Sequence, residues 1–411
     1  MKKAFNLTVL VSALGYFVDI FDLIVYGIVR KESLTYLGFS PVEVDTFGEE
    51  LLNFQMAGFL IGGIFWGIIS DKYGRKNTLF GSILLYSIFT FLNAFVEYLD
   101  RTYGYIICRF LAGIGLAGEL GTAITLAAET LPQNVRTYGT TIIASLGLLG
   151  AVFAYFLSQF LNWKEMYIAG GLMGFALLIL RFGVLESLMF EKIKKMEVEK
   201  GNFLALFKSW NTALKYLTAV LVAIPIWYLL AIYVVFAQEM AKAINMKNAE
   251  LVSNGKAIAV FYLCATFGDI ACGLMSQFLK SRKKPVILWL IFSILCLVWY
   301  YTYLPGKSHE LYYIASGLFG FCISYWTVFV TIAAEQFGTN IRATVATTAP
   351  NFIRGSVIPI TFLFREFMNV GFSRPYSALL VGIICFAIAF LCVFSLKETY
   401  HKELDYVEEF K

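Results

Sequence analysis

Six ionisable side chains stand out among those within the long apolar stretches of this sequence. A charge at the centre of a membrane-spanning helix costs roughly 2.5 to 3.5 kcal/mol on insertion scales, so residues of this kind mark solute, ion or proton pathways by default. The six are Asp19, Asp22, Arg109, Glu119, Asp269 and Arg354. Neighbouring buried carboxyl groups are candidates for proton binding, and an arginine offers a planar cation to an anionic ligand. The chemistry open to them is therefore the binding of a proton together with an anion.

Two of these residues, Asp19 and Asp22, stand in the stretch SALGYFVDIFDLIVYG at 12–27. Residues three apart share one face of a helix, and Tyr16 and Tyr26 extend that face by a turn in each direction. A lipid-facing carboxylate is too costly, so we expect this face to line a polar cavity or to contact another part of the chain.

The elements that must position these residues are membrane-spanning helices. Of the 411 residues, 59% are hydrophobic and only 15% are charged, a balance unlike that of soluble domains. Apolar stretches of about 20 residues recur along the chain, and each can cross a bilayer as a helix. They predict an all-α membrane protein with twelve transmembrane helices. These are called span 1 to span 12 and lie at 5–29, 50–70, 78–97, 103–128, 138–161, 165–185, 213–238, 256–279, 285–304, 310–334, 343–368 and 376–396.

The net charge of +5 does not call for a nucleic-acid partner, because lysine and arginine concentrate in the loops on one side of the spans. This positive-inside bias predicts a multi-pass protein of the plasma (bacterial inner) membrane with both termini in the cytoplasm. All seven cysteines fall in spans without CxxC spacing, and both histidines lie at span ends or in the tail. We therefore expect no metal site and no cofactor.

An internal repeat divides the chain. Residues 125–136 read TLAAETLPQNVR and residues 331–342 read TIAAEQFGTNIR, so six of twelve positions are identical at an offset of 206. Parallel repeats with a ligand site between them are a known transporter plan. The predicted parts are two pseudo-symmetric six-helix bundles at 1–185 and 213–396, a cytoplasmic amphipathic linker at 186–212 and a cytoplasmic tail at 397–411.

Several motifs resemble those of the major facilitator superfamily. GIISDKYGRK between spans 2 and 3 resembles its loop signature. YFVDIFDLIVYG, RFLAGIGLAGELG, AETLPQNVR and KETYHKELDYVE are more narrowly similar to metabolite:proton symporters and sugar-porter-like relatives. The resemblance implies a rocker-switch carrier, usually driven by a proton gradient. One departure is that Asp71 of the first signature maps to Gln277 in the second half.

Polar residues within the spans are expected to bind the proton or the solute. The candidates for proton coupling are Asp19, Asp22 and Glu119. Arg354 is expected to hold an anionic group of the solute, and the other candidate solute-binding residues are Asp269, Asn351, Tyr26, Gln55, Tyr325, Trp326 and Arg109. The alternative is that the charges pair permanently, as Arg109 with Asp19 or Asp269 with Arg354, and that the aromatic residues only fill the core.

A gate is expected at the loop signature and at the ends of spans 4 and 10. Asp71 can engage the positive N-terminal end of a helix, Gly74 permits a tight turn, and Arg75 and Lys76 anchor at head groups. Ion pairs that open and close in different states are expected among Glu129, Arg136, Glu335 and Arg342. The alternatives are charges that only set topology and a static surface network.

The leading functional prediction is a secondary active transporter that moves a small carboxylate-bearing metabolite by alternating access with proton symport, as a functional monomer. Its partners are the solute, the proton and the lipid bilayer. The alternatives are an exporter or antiporter, a carrier of an amino acid or neutral solute, and a transporter-derived sensor. No GxxxxGK[ST] motif is present, and neither a nucleophile with a base nor a metal cluster is evident, so an ATP-driven pump and an enzyme are disfavoured.

Overall fold

The computed structural model describes residues 7–131, 133–181, 202–338 and 340–400, and this part of the chain is helical with no β-strand. Helices stand at all twelve predicted positions. Nine of the described helices are long and apolar enough to cross a membrane. In the described part of span 5, a shorter apolar helix covers Ile142–Leu157.

The first half contains spans 1 to 6, and span 4 is broken. A turn at Ala117–Gly118 divides it, and a short helix at Val96–Leu99 precedes it. The helices are span 1 Leu7–Tyr36, span 2 Pro41–Tyr73, span 3 Arg75–Asn93, span 4 Tyr103–Leu116 with Glu119–Thr130, span 5 Gln133–Leu157 and span 6 Trp163–Leu180.

Three spans of the second half are broken. Span 7 consists of Trp210–Leu221, Ile224–Tyr228 and a π-helical segment Leu229–Val234, followed by the helix Ala237–Ala243. The other helices are span 8 Asn254–Phe278, span 9 Lys283–Tyr303, span 10 Glu310–Ile323 with Trp326–Glu335, span 11 Arg342–Gly355 with Val357–Asn369 and span 12 Arg374–Ser395. Of the predicted linker at 186–212, the described part begins at residue 202 and contains a 3-10 helix at Phe203–Phe207. The tail beyond residue 400 lies outside the described residues.

The repeat extends to the backbone. Span 4 breaks at Ala117–Gly118 and span 10 breaks at Ser324–Tyr325, positions that correspond at an offset of 207, one residue from the offset of the sequence repeat. The carbonyl of Ala117 accepts a hydrogen bond from Asn351 Nδ2 at 2.7 Å. Buried backbone groups freed by a helix break need such partners in a membrane. A side chain of the second half therefore satisfies the break in the first.

The two halves meet closely along spans 2 and 11 and along spans 5 and 8. Gly121 in span 4 lies so close to span 11 that an added Cβ would overlap the backbone of Thr347. Small residues permit this approach of helices. At the turn between spans 2 and 3, Gly74 has φ 102°, a conformation that suits glycine. The membrane face that carries this turn is called the signature-loop face, and the other is called the opposite face.

Candidate solute site and gates

A cavity of about 40 Å³ lies between the two halves, enough for about three water molecules. Among the residues that the structure describes, Arg354 is the one charged residue of its lining, and five of the other lining residues are aromatic. The lining consists of Tyr16, Ile20 and Leu148 from the first half and Ile226, Trp227, Leu230, Phe261, Tyr262, Ala265, Ser324, Trp326 and Arg354 from the second. The site thus offers one cation within an aromatic enclosure.

The repeat explains part of this lining. Ile20 and Ile226 correspond at the offset of 206, and Leu148 and Arg354 do as well. The cation of the second half therefore stands where the first half has a leucine. This asymmetry gives the cavity a charge on one side only.

Arg354 is held from both halves. Its Nη2 lies 3.6 Å from Asp19 Oδ2, and its Nη1 donates to Asn351 Oδ1 at 3.0 Å. The guanidinium carbon lies 4.7 Å from the ring centre of Phe59. Asp19 and Arg354 are both fully buried, with side chains about 1% exposed or less. Three residues predicted from the sequence thus meet, in a pairing other than the two static pairs considered above. Arg354 lines the cavity, and Asp19 and Asn351 contact Arg354 from outside the lining.

Asp22 and Arg109 form a second buried group inside the first half. Thr90 Oγ1 donates to Asp22 Oδ2 at 3.4 Å. The Arg109 guanidinium lies 5.2 Å from the ring centre of Tyr26 and 5.8 Å from that of Tyr167. Tyr26 itself donates its hydroxyl to Gly48 O at 2.8 Å. None of the three predicted residues in this group lines the central cavity.

Glu119 forms a buried ion pair with Arg181 at the end of span 6. Both side chains are about 1% exposed or less and pack against Gly15. Arg181 was not among the predicted site residues. The available signal was an arginine inside a predicted apolar span.

Two predicted solute-binding residues hold helix breaks instead of lining the cavity. Asp269 accepts the backbone N–H of Thr327 at 2.9 Å and its hydroxyl, and so caps the second part of span 10. Tyr325 donates its hydroxyl to Val222 O at 2.8 Å, at the break of span 7. Solute binding by Asp269 and Tyr325 stays a prediction. Gln55 is fully buried but is not part of the lining, whereas Trp326 is.

Asp71 joins the halves at the signature-loop face. Its Oδ2 accepts the backbone N–H of Thr344 at 2.8 Å and the Thr344 hydroxyl at 2.6 Å. Thr344 lies in the first turn of the helix that begins at Arg342, where the helix dipole favours an anion. Arg75 Nη1 lies 3.4 Å from Asp71 Oδ1 and donates to Ser70 O, and Lys76 is half-buried beside this group.

Glu335 takes part in an ion pair within the second half. Arg282 Nη2 donates to Glu335 Oε1 at 2.9 Å, and Thr399 Oγ1 donates to Glu335 Oε2 at 2.7 Å. Arg342 is buried at the start of span 11. The side chains of Glu129 and Arg136 lie outside the described part of the structure. A gating role for this set stays a prediction.

The halves are also joined at the opposite face. Glu239, after span 7, lies 3.1 Å from Arg30 and 2.9 Å from Lys31 at the end of span 1. Glu49 of span 2 lies 2.6 Å from Arg365 of span 11. Contacts between the halves are therefore present at both faces.

Glu239 keeps its charge over the ordinary pH range. Burial alone would raise its pKa, but the charges of Arg30 and Lys31 outweigh burial and lower the pKa below 4.5. A contact that depends on a carboxylate with a lowered pKa persists above the ordinary pKa and weakens only as the pH falls through the lowered value. The contact is therefore present from about pH 5 upward.

Removal of this charge opens the opposite face. In Glu239→Gln the charge-assisted bonds to Arg30 and Lys31 are lost, a loss of about 2 kcal/mol. We expect maleimide labelling of an added Ala231→Cys, beside the cavity, to accelerate several-fold. Glu250→Gln, at an exposed glutamate of the same face, is the matched control. Equal labelling rates in the two variants would show that Glu239 does not hold this face closed.

Comparisons with known proteins agree with this architecture. A family model described as Major Facilitator Superfamily matches residues 12–361. A Haemophilus influenzae protein provisionally named as a metabolite transport protein is 32% identical over 209 residues, which span 50% of this chain and about half (49%) of that protein. A Bacillus subtilis protein provisionally named as the niacin/nicotinamide transporter NiaP is 24% identical over 406 residues, 96% of each chain. The solved structure of the proton:xylose symporter XylE bound to 6-bromo-6-deoxy-D-glucose has a TM-score of 0.76 at 18% identity, over 98% of each chain, a likeness of fold alone.

Proposed function

Since the chain belongs to the Major Facilitator Superfamily, we propose that it carries a small aromatic carboxylate together with a proton by alternating access. Membership of this family makes the chain an integral multi-pass membrane transporter of small solutes and not an enzyme. The observation that carries the proposal is the pairing of Arg354 with Asp19 at the edge of an aromatic cavity between the halves.

Arg354, the cation of the cavity, is the reason for proposing a solute with a carboxylate. Arg354 presents a planar guanidinium that matches a carboxylate in geometry. It is the one charged residue of the lining, and transfer of an anion into this enclosure needs such a partner. The solute carboxylate takes the place of Asp19 beside Arg354.

The rings of the lining account for the aromatic part of the solute. Trp227, Phe261 and Trp326 offer apolar faces, and Tyr16 and Tyr262 add rings that carry a hydroxyl. Offset stacking between rings is favourable beyond the burial of area. The name of the Bacillus subtilis relative gives both niacin, a carboxylate on an aromatic ring, and nicotinamide, its neutral amide.

Proton coupling follows from competition for Arg354. While Asp19 is ionised it occupies the guanidinium, at 3.6 Å. A proton on Asp19 removes the negative charge and frees Arg354 for the solute, so the solute and the proton bind together. This thermodynamic linkage is what symport requires.

A neutral solute is the second candidate. Asp19 already neutralises Arg354 in this arrangement, and the rest of the lining carries no charge. A neutral ring can then bind by stacking alone, without release of the ion pair.

A matched pair of ligands separates these candidates. Nicotinate and its neutral amide, nicotinamide, have the same ring and nearly the same size. We expect nicotinate to raise the melting temperature of the purified protein by about 2–5 °C at saturating concentration and nicotinamide to have little effect. Arg354→Ala removes the cation, so the shift by nicotinate disappears.

Arg374→Ala is the control for this experiment, because it removes an arginine at the start of span 12 that is not part of the cavity lining. Its response to nicotinate should equal that of the unmodified protein. Equal stabilisation by nicotinate and nicotinamide that survives Arg354→Ala would favour the neutral solute and contradict the carboxylate. A wider set of aromatic and aliphatic carboxylates then defines the ring preference.

The remaining proposals concern the membrane that holds the protein, its orientation there and its oligomeric state. The concentration of lysine and arginine in loops on one side supports a plasma membrane protein with both termini in the cytoplasm, which makes the signature-loop face the cytoplasmic one. The cavity lies within one chain, between its two halves, and this supports a functional monomer.

A further inference from the structure

We propose that a pocket on the signature-loop face binds the phosphate group of an anionic phospholipid. The pocket has a volume of about 530 Å³ and lies where span 7 begins and spans 10 and 12 end. It is lined by Asn211, Thr212, Leu214, Lys215, Thr218, Gln336, Ser395, Leu396 and Lys397. It shares no lining residue with the central cavity, so it is a second site.

The pocket is positively charged. Its lining includes two lysines and, among the described residues, no carboxylate. Lys215 is fixed in place, because its Nζ donates to Gln336 O at 3.3 Å and lies 4.1 Å from the ring centre of Phe337. Lys397 is exposed. Ammonium groups form charge-assisted hydrogen bonds with phosphate oxygens.

The neighbouring glutamate does not neutralise this charge. Glu398 follows Lys397 directly, but its carboxylate accepts the backbone N–H of Arg282 at 2.8 Å and the hydroxyl of Ser281 at 2.5 Å, in the loop between spans 8 and 9. These hydrogen bonds lower the pKa of Glu398 against the effect of its partial burial. The negative charge is therefore held at that loop.

The surroundings fit a lipid rather than a soluble anion. Trp210 is 78% exposed and Phe394 is 64% exposed, and Leu214 of the lining is 45% exposed. In a membrane these side chains contact acyl chains, and a tryptophan at a helix end suits the head-group level. Basic pockets between transmembrane helices bind acidic head groups. The hydroxyls and amides of Thr212, Ser395 and Asn211 offer further hydrogen bonds.

Gln336 already connects the three helix ends around the pocket. Its carbonyl accepts a hydrogen bond from Lys215 of span 7, and its Nε2 donates to Lys397 O at 2.9 Å, after span 12. A phosphate between Lys215 and Lys397 would add a direct link between span 7 and the residue after span 12. Lipid binding should therefore stabilise the second half at this face.

The test compares lipids on the protein in neutral detergent. Phosphatidylglycerol in mixed micelles is expected to raise the melting temperature by about 2–4 °C, and phosphatidylcholine is expected to leave it unchanged. Lys397→Glu reverses a charge of the pocket and should remove at least half of the shift. Lys280→Glu reverses an exposed charge at the same face outside the pocket and should retain all of it.

One further variant and one further ligand complete the test. Lys397→Gln, a milder change, should also reduce the shift in melting temperature with phosphatidylglycerol. This variant serves as the test if the charge-reversed variant does not fold. Inorganic phosphate at millimolar concentration should have no effect, because it lacks the acyl chains. A shift with phosphate equal to that with the lipid would overturn the lipid in favour of a free anion. Equal lipid shifts in Lys397→Glu and Lys280→Glu would overturn the site itself.

Discussion

Asp19→Asn is expected to abolish accumulation of solute against its gradient while exchange of solute across the membrane continues. The asparagine carries no charge at any pH, so Arg354, 3.6 Å away in the unmodified protein, is permanently free for the solute. Binding then no longer depends on a proton, and the proton gradient cannot drive uptake. Proteoliposomes with an imposed pH gradient measure accumulation, and counterflow without a gradient measures exchange.

The magnitude follows from linkage. In the unmodified protein a gradient of one pH unit can support about tenfold accumulation if one proton accompanies each solute. Asp19→Asn should reduce this ratio to about one, and the pH dependence of solute affinity should disappear with it. Preserved accumulation in Asp19→Asn would contradict the role of this residue.

Asp22→Asn is the matched comparison, three residues along the same helix. Asp22 contacts Thr90 in the interior of the first half, whereas Asp19 contacts Arg354, which lines the cavity. We therefore expect Asp22→Asn to keep more coupling than Asp19→Asn. If accumulation is lost only in Asp22→Asn, the proton site belongs to the buried group of Asp22 and Arg109 and not to the pair with Arg354.

Arg181→Leu is expected to destabilise the protein by about 3–5 kcal/mol. This change removes the partner of Glu119, whose side chain is fully buried. An ionised carboxylate left without a partner in a low-dielectric interior carries its full desolvation penalty. The measurement is the free energy of unfolding, or the melting temperature where unfolding is irreversible.

The double variant Glu119→Gln/Arg181→Leu is the control for this prediction. It removes the charge together with its partner, and replacement of both partners of a buried pair is often close to neutral. Most of the lost stability should therefore return. If both variants are equally destabilised, the loss comes from packing of the arginine stem.

The same pair separates a structural from a coupling role for Glu119. If Glu119 has only a structural role, the double variant Glu119→Gln/Arg181→Leu should accumulate solute against a gradient to nearly the normal level. Loss of accumulation with retained stability would support Glu119 as a proton-coupling residue, the role expected from its position in span 4.

The positions of the helices follow closely from the sequence. Hydropathy and length are properties of each stretch alone, and the bilayer requires every spanning stretch to satisfy its own backbone. The internal repeat also carried structural information, because its offset of 206 pairs Ile20 with Ile226 in the cavity lining, and the breaks of spans 4 and 10 lie one residue from that offset. The breaks themselves were not predicted, since they depend on partners from other helices.

The site was predicted in part. The expectation that Arg354 faces the cavity agrees with its position in the structure, and Asp71 lies at a helix N-terminus as its charge suggests. Asp269 was placed with the solute-binding residues because a buried carboxylate is usually functional. It caps Thr327 instead, a partner that hydropathy cannot identify.

The sequence by itself determined which segments enter the membrane, that the chain repeats, and which charges must find partners inside. These properties depend on transfer free energies and on internal similarity along the chain. The tertiary structure alone decided which charges meet. Asp19 and Arg354 are separated by most of the chain, and their contact depends on how each helix is rotated and how closely its neighbours pack, which the interactions among all the spans determine together.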